Sequence, residues 1–182
     1  EFRRVLFRSG YSYVGATAQA AAHEEPTAAD LNETFNAGLD PIPDTAYYRT
    51  YAEHFPPSIW PARPAALRHI WREYMTAMQR LSGRVLSLMA TALGLDEHWF
   101  DGLIDKPMSS ITANHYPALD HAPEPGQFRG GAHTDYGTIT ILASDGVPGL
   151  ELLDEDGTWT PAPDVPGALH VNTGDMLSHW SG

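Results

Sequence analysis

The sequence predicts a mainly β protein with helices in its N-terminal half, folded as an antiparallel sandwich or barrel. Three observations support this fold class. Apolar residues between Pro64 and Leu93 recur at alternating spacings of four and three, the period of a helix. After Lys106 the period changes to two, in short segments separated by Gly, Pro, Asp or Asn. No helical pattern separates these segments, which argues against a parallel doubly wound sheet.

Composition and charge narrow the class of protein. The chain has 182 residues, 42% of them apolar, and its 11 basic and 23 acidic side chains give a formal charge of −12. This acidic balance disfavours nucleic acid and anionic membranes as partners, because such binding depends on Lys and Arg. The absence of cysteine excludes a disulfide scaffold, a thiolate zinc site and a cysteine nucleophile. No apolar run reaches about 18 residues and no signal-peptide pattern opens the chain, so we expect a cytoplasmic protein.

Both ends of the chain are unusual. Residues 1–9 are apolar and basic and resemble the translation of a sequencing-adapter oligonucleotide, so we interpret them as non-native. The segment 10–64 is rich in Ala, Pro, Thr and Asp and predicts loops with short helical pieces, such as 28–35. At the other end, 176–180 predicts a strand that runs into a turn. We therefore expect a fragment at both ends.

One long amphipathic helix is predicted over 64–93. Pro64 suits its first turn and Gly94 its C-terminal cap. We expect its apolar face to pack against a sheet, with a ligand-binding face as the alternative; the face comprises Leu67, Trp71, Tyr74, Met78, Leu81, Val85, Leu88 and Ala92. A shorter helix is predicted over 96–103, with Asp96 placed to cap it.

Short β-prone segments make up the remainder of the chain. Each is bounded by turn residues and is compatible with a strand of an antiparallel sheet. The predicted strands are 109–116, 138–143, 149–153, 158–160, 168–172 and 176–180.

The segment Gly130–Gly137 contains the residues with the clearest chemistry. Side chains alternate along an extended chain, so His133 and Asp135 project to the same side and can bind one metal ion together. An imidazole nitrogen and a carboxylate oxygen suit Fe(II), Mn(II) or Zn(II). A solvated turn is the alternative, because such a pair also arises by chance.

Four further motifs accompany this pair in a fixed order. Together they resemble the isopenicillin N synthase-like family of Fe(II), 2-oxoglutarate-dependent dioxygenases, which implies a double-stranded β-helix core, also called a cupin-like jelly roll. On this resemblance the chain comprises a partial helical N-terminal region over 10–105 and a truncated oxygenase core over 106–182. The resemblance rests on Asn114–Pro117, Gly130–Gly137, Pro148–Leu152, Trp159 and Val171–Met176.

The resemblance implies roles for individual residues. His133 and Asp135 would be iron ligands, and Tyr116 with Asn114 would line the pocket for 2-oxoglutarate. The turn that contains Gly174 and Asp175 would be structural, with the Asp175 carboxylate accepting backbone N–H groups. The family's second histidine ligand is expected roughly 55 residues after the first, followed by an arginine and a serine that bind 2-oxoglutarate. These positions fall beyond the end of the chain, so we expect the jelly roll to be incomplete there.

The implied activity belongs to the parent protein. It would use Fe(II), 2-oxoglutarate and O2 to hydroxylate, desaturate or close a ring in a small molecule, with succinate and CO2 as co-products. As this fragment, the chain is expected to be inactive. The alternatives are a noncatalytic cupin-like binding module and an oxidase of the same fold that uses no 2-oxoglutarate. The substrate and the oligomeric state are not predicted.

Overall fold

The computed structural model describes residues 9–18 and 28–181. They form two compact units, one ending at His133 and the other beginning at Thr134. All of the non-native segment predicted over 1–9 except Ser9 lies outside the described residues. None of the described helices combines the length and apolar character needed to cross a membrane.

The first unit contains a three-stranded antiparallel sheet. Its strands are β1 (Gly10–Ser12), β2 (Glu33–Ala37) and β3 (Ile111–His115), with β2 in the centre. The prediction of a helical piece over 28–35 is therefore wrong. A segment this short takes its conformation from its partners, and β2 pairs along its whole length with β3.

Helices connect β2 to β3 in the chain. They are α1 (Ala46–Thr50), α2 (Leu67–Ala92) and α3 (Asp101–Ile104), with a 3-10 turn at Ala52–His54 between the first two. The long helix is confirmed, and Gly94 with its φ of 74° follows its C-terminus as predicted. The helix predicted over 96–103 is shorter than expected. Its capping residue instead forms a local turn, in which Asp96 Oδ1 accepts the N–H of His98 at 2.9 Å.

The core of the first unit lies between α2 and the aromatic residues around β2. Phe35 packs edge-on against Trp71, with ring centroids 5.1 Å apart, and both rings also contact Trp60. The buried residues of α2 are Met75, Leu86 and Ala90. The predicted apolar face is only partly confirmed, because Trp71 contributes to packing whereas Tyr74 and Leu88 are exposed in the described structure.

The second unit contains four strands and one helix. Strand β4 (Ile139–Leu142) pairs with β7 (His170–Thr173), and β5 (Glu151–Leu153) pairs with β6 (Trp159–Pro161). Both pairs are antiparallel, as predicted.

The second unit ends in a helix where a strand was predicted. Helix α4 spans Asp175–Ser181, so the strand expected over 176–180 is wrong. The carbonyl of Gly174 accepts the N–H groups of Leu177 and Ser178, which begins the helix. The negative charge of Asp175 in the first turn complements the helix dipole.

Candidate metal centre

His133 is held through one nitrogen of its ring. Its Nδ1 lies 2.8 Å from the carbonyl oxygen of Gly131. A carbonyl oxygen only accepts hydrogen bonds, so Nδ1 carries a proton in this bond, and in the neutral ring the lone pair is then on Nε2. Histidine ligands of metals commonly donate their second ring N–H to a carbonyl or carboxylate in this way. The conformation of His133 therefore suits a metal ligand that binds through Nε2.

The loop that leads to His133 is held along its length by the segment before β2. The N–H of Leu31 donates to the carbonyl of Phe128 at 3.0 Å. The side-chain amide of Asn32 donates to the carbonyl of Arg129 at 2.7 Å. Asn32 is almost completely buried, and its bond to Arg129 is part-buried.

A buried carboxylate completes this set of contacts. Asp30 is only 2% exposed, and its Oδ1 accepts the N–H of Gly131 at 2.8 Å. A buried charge is unfavourable unless polar groups compensate it, and the backbone N–H of Gly131 is one such group. The helix predicted over 28–35 gave Asp30 and Asn32 no role, and no local pattern marks them, because their hydrogen-bond partners lie 101 and 97 positions away.

Tyr116 and Asn114 lie at the end of β3, where the sequence predicted them. Asn114 pairs with Thr34 in the sheet, and its side chain forms a hydrogen bond with the phenol of Tyr116. Tyr116 is about half exposed. Partial burial and the nearby negative charge of Asp30 raise the pKa of Tyr116, while the bond to Asn114 acts in the opposite direction. The phenol therefore stays protonated at neutral pH and is available as a hydrogen-bond donor.

Asp135 lies in the second unit, where the start of α4 holds its backbone. The carbonyl of Asp135 accepts the N–H of Asp175 at 2.7 Å. The Asp175 carboxylate accepts the hydroxyl of Thr134 at 3.1 Å, where a backbone donor had been predicted. Gly174 has no space for a side chain, since a Cβ there would lie 2.1 Å from the carbonyl oxygen of Gly137. The backbone on both sides of Asp135 is thus fixed within its own unit.

The donor set meets part of the requirement of ferrous iron. One imidazole nitrogen and one carboxylate oxygen are ligands that Fe(II) accepts, so the donor chemistry of His133 and that of Asp135 each suit ferrous iron. Across 9–18 and 28–181, no group of three or more His, Asp or Glu side chains is arranged to hold a metal ion. The described residues therefore offer a partial ligand set.

Comparisons with known proteins identify the family. The profile of the 2OG-Fe(II) oxygenase superfamily matches residues 108–182. Validamycin A dioxygenase from Streptomyces hygroscopicus subsp. limoneus is 37% identical over 157 residues, which are 85% of this chain and 42% of that protein. The chain belongs to the 2OG-Fe(II) oxygenase superfamily. It spans about half the length of the curated relatives it matches.

Solved structures of the superfamily agree with this assignment. A full-length Neurospora crassa protein, crystallised in complex with alpha-KG, superimposes with a TM-score of 0.76 at 28% identity, covering 94% of this chain and 52% of that one. A 2OG-Fe(II) oxygenase family protein from Caulobacter crescentus gives a TM-score of 0.75 at 32% identity, with coverages of 93% and 52%. These neighbours are jelly-roll oxygenases, which confirms the predicted fold class. The predicted cofactors, Fe(II) and 2-oxoglutarate, are confirmed at the level of the superfamily.

Proposed function

We propose that the whole protein is an Fe(II), 2-oxoglutarate-dependent oxygenase of small molecules, in which His133 Nε2 and an Asp135 carboxylate oxygen are two of the iron ligands. The observation that carries this proposal is the hydrogen bond from His133 Nδ1 to the Gly131 carbonyl, because it leaves the lone pair on the outer ring nitrogen. The superfamily match over 108–182, which includes both residues, supports it.

Tyr116 and Asn114 take part in binding 2-oxoglutarate in this proposal. A protonated phenol donates a hydrogen bond to a carboxylate, and the raised pKa of Tyr116 keeps the phenol in that form. Asn114 orients the phenol through its side-chain hydrogen bond. These two residues bind and orient the keto acid, whereas His133 and Asp135 fix the position of the metal.

Bound Fe(II), 2-oxoglutarate and O2 supply the oxidising chemistry, in which the keto acid yields succinate and CO2 while the substrate is oxidised. Hydroxylation, desaturation and ring closure are the proposed outcomes for the substrate. We propose a cytoplasmic location, with which a chain without cysteine is compatible.

The test uses the whole protein, expressed from its complete reading frame. Conversion of 2-oxoglutarate to succinate without added substrate should be measurable in wild type and lost in His133→Ala and Asp135→Ala. His121→Ala and Asp120→Ala are matched controls, because this adjacent pair is highly exposed and should leave turnover unchanged. Undiminished succinate formation in Asp135→Ala would show that this ligand assignment is wrong.

Two other outcomes would replace the proposal with an alternative. Consumption of O2 without 2-oxoglutarate would indicate an oxidase of the same fold. Binding of a small molecule with no turnover under any condition would indicate a noncatalytic module. Calorimetry with Mn(II), which binds such sites without turnover, measures metal binding by itself. It shows whether an inactive variant fails to bind metal or binds metal and fails in a later step of the reaction.

A further inference from the structure

The two hydrogen-bonding groups of Gly131 connect a buried carboxylate to the ring of His133. The N–H of Gly131 donates to Asp30 Oδ1 at 2.8 Å. The carbonyl of Gly131 accepts from His133 Nδ1 at 2.8 Å. Gly131 is itself buried, which shields its bond to Asp30 from solvent, while its bond to His133 is part-buried. All three residues lie in the first unit.

Two consecutive glycines do not fix the orientation of a neighbouring metal ligand unless other residues hold their backbone. Gly130 and Gly131 have no side chains to restrict their backbone, so the free chain samples many orientations of the carbonyl that faces His133. A charged acceptor forms a stronger hydrogen bond than a neutral one. Asp30, at 2% exposure, provides such an acceptor from a distant part of the sequence.

We propose that Asp30 is a positioning residue for the iron ligand: by fixing Gly131, it holds the His133 ring in the orientation and tautomer that present Nε2 to the metal. Asp30 acts through Gly131 and does not contact the metal. The proposal rests on the proposed function, since it concerns how one ligand of that site is prepared.

The first measurement is the tautomer of His133 in the metal-free whole protein. Long-range 1H–15N NMR distinguishes protonation at Nδ1 from protonation at Nε2. We expect wild type to carry the proton on Nδ1. A ring protonated at Nε2 in wild type would overturn the proposal, and this result needs no variant to fold.

Variants of Asp30 then test whether Asp30 determines the tautomer of His133. Asp30→Ala removes the acceptor, so His133 should populate both tautomers and Mn(II) affinity should fall by about tenfold or more, the usual effect of losing a group that orients a ligand. Asp30→Asn keeps an oxygen acceptor of the same size and should restore the Nδ1-protonated form and most of the affinity. If His133 keeps its wild-type tautomer in folded Asp30→Ala, the proposal is wrong.

Asn32→Ala is the matched control. It removes a part-buried hydrogen bond to the Arg129 carbonyl of the same loop, leaves Gly131 in place, and should leave the His133 tautomer unchanged. A mixed tautomer in Asn32→Ala as well would reduce Asp30 to a general stabiliser of the loop and overturn the proposal. Failure of wild type to bind Mn(II) would refute the proposed function alone, because the tautomer measurements use metal-free protein.

Discussion

The backbone N–H of Asp175 donates a 2.7 Å hydrogen bond to the carbonyl of Asp135, the proposed carboxylate ligand. The neighbouring N–H groups of Gly174 and Met176 donate to Thr138 at 3.0 Å and Gly137 at 3.2 Å. The N–H groups of three consecutive residues therefore hold the backbone carbonyls of Asp135, Gly137 and Thr138. The start of α4 serves as the backbone support of Asp135.

We expect Gly174→Ala to destabilise the chain by about 1–3 kcal/mol, the usual cost of forcing extra atoms into a filled space. A Cβ at this position would lie 2.1 Å from one carbonyl oxygen and 2.8 Å from that of Asp135. Urea unfolding measures the loss. Gly83→Ala, in the middle of α2 with no atom within 4 Å of its added Cβ, is the control and should stabilise by about 0.5–1 kcal/mol. Equal stability of Gly174→Ala and wild type would show that the backbone around Gly174 shifts to accommodate the added methyl group without cost.

The carboxylate of Glu33 joins all three strands of the first sheet. It accepts the Tyr11 hydroxyl from β1, and its Oε1 lies 2.7 Å from His115 Nδ1 on β3. The Tyr11 phenol, and after it His115, lower the pKa of Glu33. Tyr11→Phe should raise this pKa toward the ordinary value of about 4.3, because the charged form loses a donor. A 13C NMR titration tests this, with Tyr13→Phe as the matched substitution that should change nothing.

The same group gives a pH dependence of stability with a defined sign. Because the pKa of Glu33 is lowered in the folded state, its contribution is complete above the unfolded-state pKa and is lost as pH falls through the folded-state pKa. The difference in unfolding free energy between wild type and Glu33→Gln should therefore shrink between about pH 6 and about pH 3. A difference that grows on acidification would contradict the assigned shift.

Arg68 binds Asp40 through two parallel hydrogen bonds, Nε to Oδ2 at 2.5 Å and Nη2 to Oδ1 at 2.7 Å. The Asp40 side chain is only 11% exposed, so Arg68→Ala leaves a largely buried carboxylate without this partner. We expect a loss in urea unfolding that is larger than the cost of breaking a fully exposed ion pair. Arg49→Ala breaks an exposed pair with Asp44 and should cost less than about 1 kcal/mol. Equal costs for the two variants would be inconsistent with the burial of Asp40.

The 182-residue chain alone should bind divalent metal weakly, since its described residues place no three ligands together. A ligand stabilises a fold only when its concentration exceeds its dissociation constant. Chelation with EDTA should therefore leave the thermal midpoint of the isolated chain unchanged, and the chain should form no succinate. A clear drop in the midpoint on adding EDTA would show that the chain holds a tight metal site by itself.

Local sequence patterns predicted much of this structure. The spacing of Leu67, Trp71 and Met78 predicted α2, and the alternation after Lys106 predicted the strands from β3 to β7. These features are set by residues close in sequence, so a single chain is enough to reveal them. The order of short motifs around His133 likewise indicated the superfamily.

The remaining features depend on distant partners. Strand β2 is extended because it pairs with β1 and β3, and its own sequence does not favour a strand strongly. The role of Asp30 depends on a hydrogen bond to Gly131, which no local pattern contains. Helix α4 was predicted as a strand for another reason. The segments before it alternate with a period of two, and the same period was assumed for 176–180. Asp175 at the first position, and Leu177 and Trp180 three positions apart, fit a helix instead.

The central position of β2 has a consequence for synthesis on the ribosome. Its bond from Glu33 to His115 joins residues 82 positions apart, and the bond from Asp30 to Gly131 joins residues 101 positions apart. Closing loops of this size lowers the conformational entropy of the chain before the stabilising contacts form. A nascent chain can form α2 early, but β2 keeps an unpaired edge until β3 has been translated. During that interval the growing polypeptide exposes a strand edge open to intermolecular pairing, the period in which chaperone protection matters most.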